Sequence, residues 1–189
     1  MKQLFLFASL LLLVVPASAQ ARYSTRSGLI TFFSATPVED IEARNTQVAA
    51  LLDLSSGQVA FTVPMKSFVF KRSLMQEHFN ENYVESEKYP RASFAGKVVN
   101  FSPALLTAAG PQSVQVEGDL TIHGVKRRVK VPGTLELKNN QLLVQARFGV
   151  APADYNIEIP ALVRDNIAKT VDVTVNLSCS PVPAKTTAP

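Results

Sequence analysis

Val114 to Val131 reads Val-Gln-Val-Glu-Gly-Asp-Leu-Thr-Ile-His-Gly-Val-Lys-Arg-Arg-Val-Lys-Val. Two alternating runs meet at His123-Gly124, and a two-residue link ending in Gly marks a tight β-hairpin, because such turns need positive φ. That turn fixes a register. Ile122 faces Val125, Leu120 faces Arg127, Gly118 faces Val129 and Val116 faces Val131, since directly opposed residues share one face of a sheet. The other face pairs Thr121 with Lys126, Asp119 with Arg128 and Glu117 with Lys130. The register that gathers the valines therefore also sets acids against bases.

Arg127 breaks the pattern, because it falls on the apolar side opposite Leu120. One reading has its stem packed inward and its guanidinium snorkelling to water at a rim. The other has it meeting the polar end of something held inside, since a guanidinium keeps its charge in a protein.

Outward from the hairpin, strands follow at short intervals. Tyr23 to Ala35 reads as a strand with a kink or bulge at Gly28. Thr46 to Leu54 and Gln58 to Met65 flank Ser55-Ser56-Gly57 as a second hairpin, with Val59, Phe61, Val63 and Met65 on one face. Lys138 to Gln141 turns Thr134–Leu137 into Leu142–Val150, whose inner face is Leu142, Val144, Ala146, Phe148 and Val150. Val171, Val173, Val175, Leu177 and Cys179 share a further period-two face. Such a pattern predicts an all-β sandwich or barrel. Ser73 to Val84 does not alternate and reads as a short helix with Ser73 as N-cap and Leu74, His78 and Phe79 on one side. Ala161 to Ile167, after Pro160, offers a second short helix or turn.

At the N-terminus, Lys2 precedes an apolar run from Leu4 to Val15, and Pro16-Ala17-Ser18-Ala19 supplies an A-x-A exit. Residues 1–19 are expected to be a secretory signal peptide, since the run is shorter than the roughly 20 apolar residues of a membrane span. No transmembrane segment is expected in the mature chain. Residues 20–180 then form one domain of suitable size for a single barrel, and the Pro-rich 181–189 is expected as a disordered tail. Losing Lys2 leaves 18 basic residues against 15 acidic ones. That mild excess, with no long basic run, makes nucleic acid an unsuitable partner.

The chemistry-bearing residues are few. The lone cysteine, Cys179, excludes an internal disulfide and reads as a small buried hydrophobe. His78 and His123 sit in different elements without metal-ligand spacing, so no metal and no catalytic set is assigned. No nucleophile elbow, phosphate-binding Gly-rich loop or dinucleotide fingerprint occurs. The chain is therefore expected not to be an enzyme. His123 has two readings, a turn residue tolerant of positive φ or a polar contact at a barrel mouth. His78 is likewise a half-buried helix residue or a second mouth contact.

Gly118-Asp119-Leu120-Thr121-Ile122-His123-Gly124-Val125 resembles the signature hairpin of the YceI-like family of bacterial polyisoprenoid-binding proteins, and Tyr89-Pro90-Arg91-Ala92-Ser93-Phe94 resembles that family's preceding strand start. The family's Arg-Asp-x-His-Leu motif reads Met75-Gln76-Glu77-His78-Phe79 here. The His is kept and the Arg-Asp pair is not, so no role of that pair carries over. The resemblance implies an extended, lipocalin-like antiparallel β-barrel of about eight strands with one or two short helices. It implies an apolar channel holding an amphiphilic lipid, a polyisoprenoid or isoprenoid quinone, with no other cofactor. A periplasmic location and a homodimer are implied with it. Barrels of this size can hold one ligand. The expected channel residues are Phe61, Val63, Met65, Ile122, Arg127, Val129, Val144, Ala146, Phe148, Val173 and Val175, with His78 and His123 as mouth contacts. A filled barrel acting as a structural or interaction module is the alternative, followed by a lipid-modifying enzyme.

Overall fold

The structure, a computed structural model, describes residues 22–183. The expected signal peptide and residues 184–189 of the expected tail lie outside that range. Eight strands close into an antiparallel barrel: β1 (Arg22–Ala35), β2 (Asp40–Asp53), β3 (Gln58–Pro64), β5 (Arg91–Val98), β6 (Gln112–Ile122), β7 (Val125–Lys138), β8 (Gln141–Val150) and β9 (Val171–Pro181). The two-residue β4 (Val69–Phe70) pairs with β2 at Ala43 and Arg44, beyond the part of β2 that β3 pairs. Closure comes from β1, which pairs with both β2 and β9.

The β6–β7 hairpin forms in the register set by its alternation, from Ile122 opposite Val125 to Val116 opposite Val131. His123 and Gly124 take φ of 51° and 74°. A side chain at Gly124 would meet the Tyr89 ring, with a Cβ 2.6 Å from Cε1. The glycine is thus required twice, by the turn and by the tyrosine of the other motif. On the outer face Glu117 lies opposite Lys130 and Asp119 opposite Arg128 as expected, and Arg128 bridges Asp119 directly across and Glu117 diagonally, at 3.3 and 3.0 Å. Gly118 opposes Gly96, and the Phe94 ring lies over the pair, where a Cβ on Gly118 would come within 2.6 Å of it. Phe94 stacks in turn on Phe61 at 5.2 Å.

Register slips on both sides of Gly28 give β1 the expected bulge. Asn139 and Asn140, both at positive φ, make the β7–β8 turn. β9 runs one residue into the segment expected as a tail, and the Val182 N–H donates to the Arg22 carbonyl at 2.8 Å. The helix α1 (Ser73–His78) has Arg72, not Ser73, at its N-cap position and no side-chain cap. It continues as a π-helical turn, Phe79–Tyr83, closed by Val84 N–H on Phe79 O at 2.9 Å. Ala161–Asn166 is a 3-10 turn.

The interior divides into two layers. Around the β2–β3 and β7–β8 turns it is filled by Leu52, Val48, Leu135, Leu142 and Cys179, all essentially without exposure. Burial there pushes the Cys179 thiol up to about 11, which makes it a poor nucleophile. The opposite end, where the β6–β7 turn and the chain crossings lie, is not filled.

Candidate functional site

Strands that carry the filled layer at one end present a second set of inward residues at the other. On β1 these are Ile30, Phe32 and Ser34, on β3 Phe61 and Val63, on β5 Ala92, on β6 Leu120 and Ile122, on β8 Phe148 and Val150, on β9 Val171 and Val173. They enclose a cavity of about 300 Å³, at the lower end of the range for small-molecule sites.

Two chain crossings roof it. Residues 65–84 contribute Met65, Phe68, Phe70, Met75, His78, Phe79, Tyr83 and Val84, and residues 152–167 contribute Pro152, Ile157, Ile159, Val163, Asn166 and Ile167. Aromatic contacts pin the first crossing down. Phe79 lies 5.6 Å from Phe32, 5.6 Å from Phe68 and 5.1 Å from Phe70, ring centre to ring centre. A π-turn rotates the side chains that follow it relative to an α-helix, and here both Phe79 and Tyr83 reach the cavity. Burial raises the Tyr83 phenol above its ordinary value, so it stays protonated.

His123 holds the two crossings together. Its Nε2 lies 2.7 Å from Glu85 Oε2, just past the helix, and its Nδ1 lies 3.1 Å from the Tyr155 carbonyl in the second crossing. The ring also packs edge-on to Tyr89 at 4.4 Å. It is therefore a structural clasp beneath the roof, and it is not among the residues lining the cavity.

Of the eleven expected channel residues, Phe61, Val63, Met65, Ile122, Phe148 and Val173 line the cavity. Five do not. Val129, Val144, Ala146 and Val175 face inward but belong to the packed part of the barrel, because alternation defines a face and not the depth at which side chains meet. Arg127 is exposed and its Nε donates to the Asp154 carbonyl at 2.8 Å, anchoring the second crossing from the rim. His78 lines the cavity at its exposed side and accepts at Nδ1 from Asn82 Nδ2 at 3.0 Å.

Sequence reasoning missed the two crossings as walls. Their signals were the alternating Phe68-Val69-Phe70 and Ile157-Glu158-Ile159, apolar pairs lying where no long strand runs. Among the described residues no three His, Cys, Asp or Glu side chains come together as metal ligands, and no helix is long and apolar enough to cross a membrane.

Residues 16–179 match the YceI-like domain. The chain belongs to the YceI-like family. Solved YceI-like relatives agree with the barrel. A polyisoprenoid-binding domain from Saccharophagus degradans, implicated in plant cell wall breakdown, superposes with a TM-score of 0.72 at 18% identity, over 87% of this chain and 100% of that one. Burkholderia cenocepacia BcnA gives 0.68 at 18%, over 80% and 95%. A Campylobacter jejuni YceI protein gives 0.58 at 12%, over 79% and 90%. At such identities the likeness carries the fold alone. No curated protein matches this chain.

Proposed function

We propose that this YceI-like barrel binds one amphiphilic lipid with an isoprenoid-type tail and holds it unchanged, for transport or storage in a bacterial periplasm. The observation that carries this reading is the half-filled barrel. Eight strands close around a cavity whose wall is apolar nearly throughout, and apolar walls with few polar groups are what a hydrocarbon tail needs. The family relative described as a polyisoprenoid-binding domain supports the tail chemistry. Among the described residues no wall hydroxyl is hydrogen-bonded to a carboxylate or imidazole, which favours binding without catalysis.

Native mass spectrometry of protein purified without detergent tests it. The wild type should carry an extra lipid mass, and the same spectrum reads whether the chain pairs as the homodimer implied by resemblance. Ala92 is a small wall residue, and Ala92→Trp should abolish the lipid mass while the far-ultraviolet spectrum stays that of a folded β protein. A wild type that never retains or takes up lipid would return the barrel to a structural module.

A further inference from the structure

Besides His78 and Tyr83 the cavity wall carries three polar residues, Ser34, Glu39 and Asn166. Ser34 is the last inward residue of β1, only 2% exposed, and it lines the wall beside Glu39, just beyond the β1 end, and Asn166 in the second crossing. The Ala168 N–H donates to Ser34 Oγ at 2.8 Å, which brings the two segments together. A hydroxyl has one proton to give as well as lone pairs to receive. Among the described residues Ser34 Oγ takes part only in the bond from Ala168 and the half-buried Asn166 side chain in none, so a hydroxyl proton and an amide are free to meet a ligand in the cavity.

The charges around it are already balanced. Glu39 is paired with Arg72, and His78 Nδ1 is engaged by Asn82 Nδ2. The wall itself holds no Lys or Arg. An anionic head arriving here would meet the Glu39 carboxylate with its cation already engaged.

Resting on the lipid-binding reading above, we infer that Ser34 and Asn166 form a head-group site for an uncharged oxygen acceptor, such as a quinone carbonyl or prenyl alcohol, and that Glu39 selects against a phosphate head. The tail then lies along Phe32, Phe61 and Phe148, and the lipid has one orientation.

Affinities of purified, delipidated protein for three probes test this: a tetraprenyl alcohol, its monophosphate and the hydrocarbon squalene. The alcohol should bind at least tenfold more tightly than the monophosphate. Ser34→Ala should weaken the alcohol about fivefold and leave squalene unchanged, the size expected for one neutral hydrogen bond. Glu39→Gln frees Arg72 and should raise monophosphate affinity about tenfold. Equal or tighter binding of the monophosphate by wild type overturns the inference. So does an equal loss of alcohol and squalene in Ser34→Ala, which would reduce Ser34 to a fastener for the Ala168 segment. If no probe binds, squalene included, the lipid-binding reading falls and this one with it; if squalene alone binds, only the head-group site is lost.

Discussion

His123 faces a carboxylate and a backbone carbonyl, both of which only accept hydrogen bonds. Through these two contacts the imidazole joins the two crossings. His123→Ala should lower stability by about 1–3 kcal/mol in urea titrations, the value of a hydrogen bond to a charged carboxylate less some relaxation. Amide exchange should quicken at residues 79–88 and 152–157 and remain slow in the strands; uniform quickening would show that the histidine serves the barrel as a whole. The residue was singled out from sequence for its place in the turn. Its partners were not legible, because Glu85 is 38 positions away and Tyr155 is 32, and no periodicity connects a turn to a distant carbonyl.

Among the elements, β8 shows most clearly how one strand serves two layers. Leu142, Val144, Ala146, Phe148 and Val150 point inward in turn, yet only Phe148 and Val150 meet the cavity. Ala146 lies opposite Gly133 on β7 and Val175 on β9, where neighbours already fill the space. Ala146→Trp should accordingly cost about 1–3 kcal/mol or more as overpacking, whereas Ala92→Trp enters open volume and should cost less than 1 kcal/mol. Chemical denaturation of the two variants side by side checks this, and equal losses would mean that both layers are equally full. Alternation made both alanines visible as inward residues. Depth along the barrel was invisible, since it depends on how eight strands stagger.

At the scale of the whole molecule, the barrel seam is held at its filled end by Asp53. The side-chain hydroxyl of Ser55, Arg22 Nε at 3.0 Å and Ser55 N–H at 2.9 Å all reach its carboxylate. These bonds, the Ser55 hydroxyl first and Arg22 next, lower its pKa from 3.8 to about 2. Arg22 opens β1 and Asp53 ends β2, so the pair sits on the ladder that closes the ring. A carboxyl with a depressed folded pKa stabilises above its unfolded value and loses that contribution as pH falls through the folded one. Stability of the wild type should therefore fall more steeply than that of Asp53→Asn between pH 3.8 and about 2, as read from urea midpoints across that window. Parallel curves would show the seam to be indifferent to this carboxylate.

Alternation, the His123-Gly124 and Asn139-Asn140 turns and the bulge glycine determined the strands and the β6–β7 register, because those features are local and the physics that sets them acts over a few residues. The two family motifs, which meet where Tyr89 packs against Gly124, located the fold. What only tertiary structure decided was the split between a filled and an open layer, and the placing of Ser34, Glu39 and Asn166 at one mouth. Those depend on which inward side chains of eight different strands come to the same height, and on two crossings that bury apolar residues with no more than the two-residue β4 pairing to announce them. A one-dimensional pattern holds the direction in which each side chain points; volume is shared among residues far apart in the chain, and it exists only once the ring has closed.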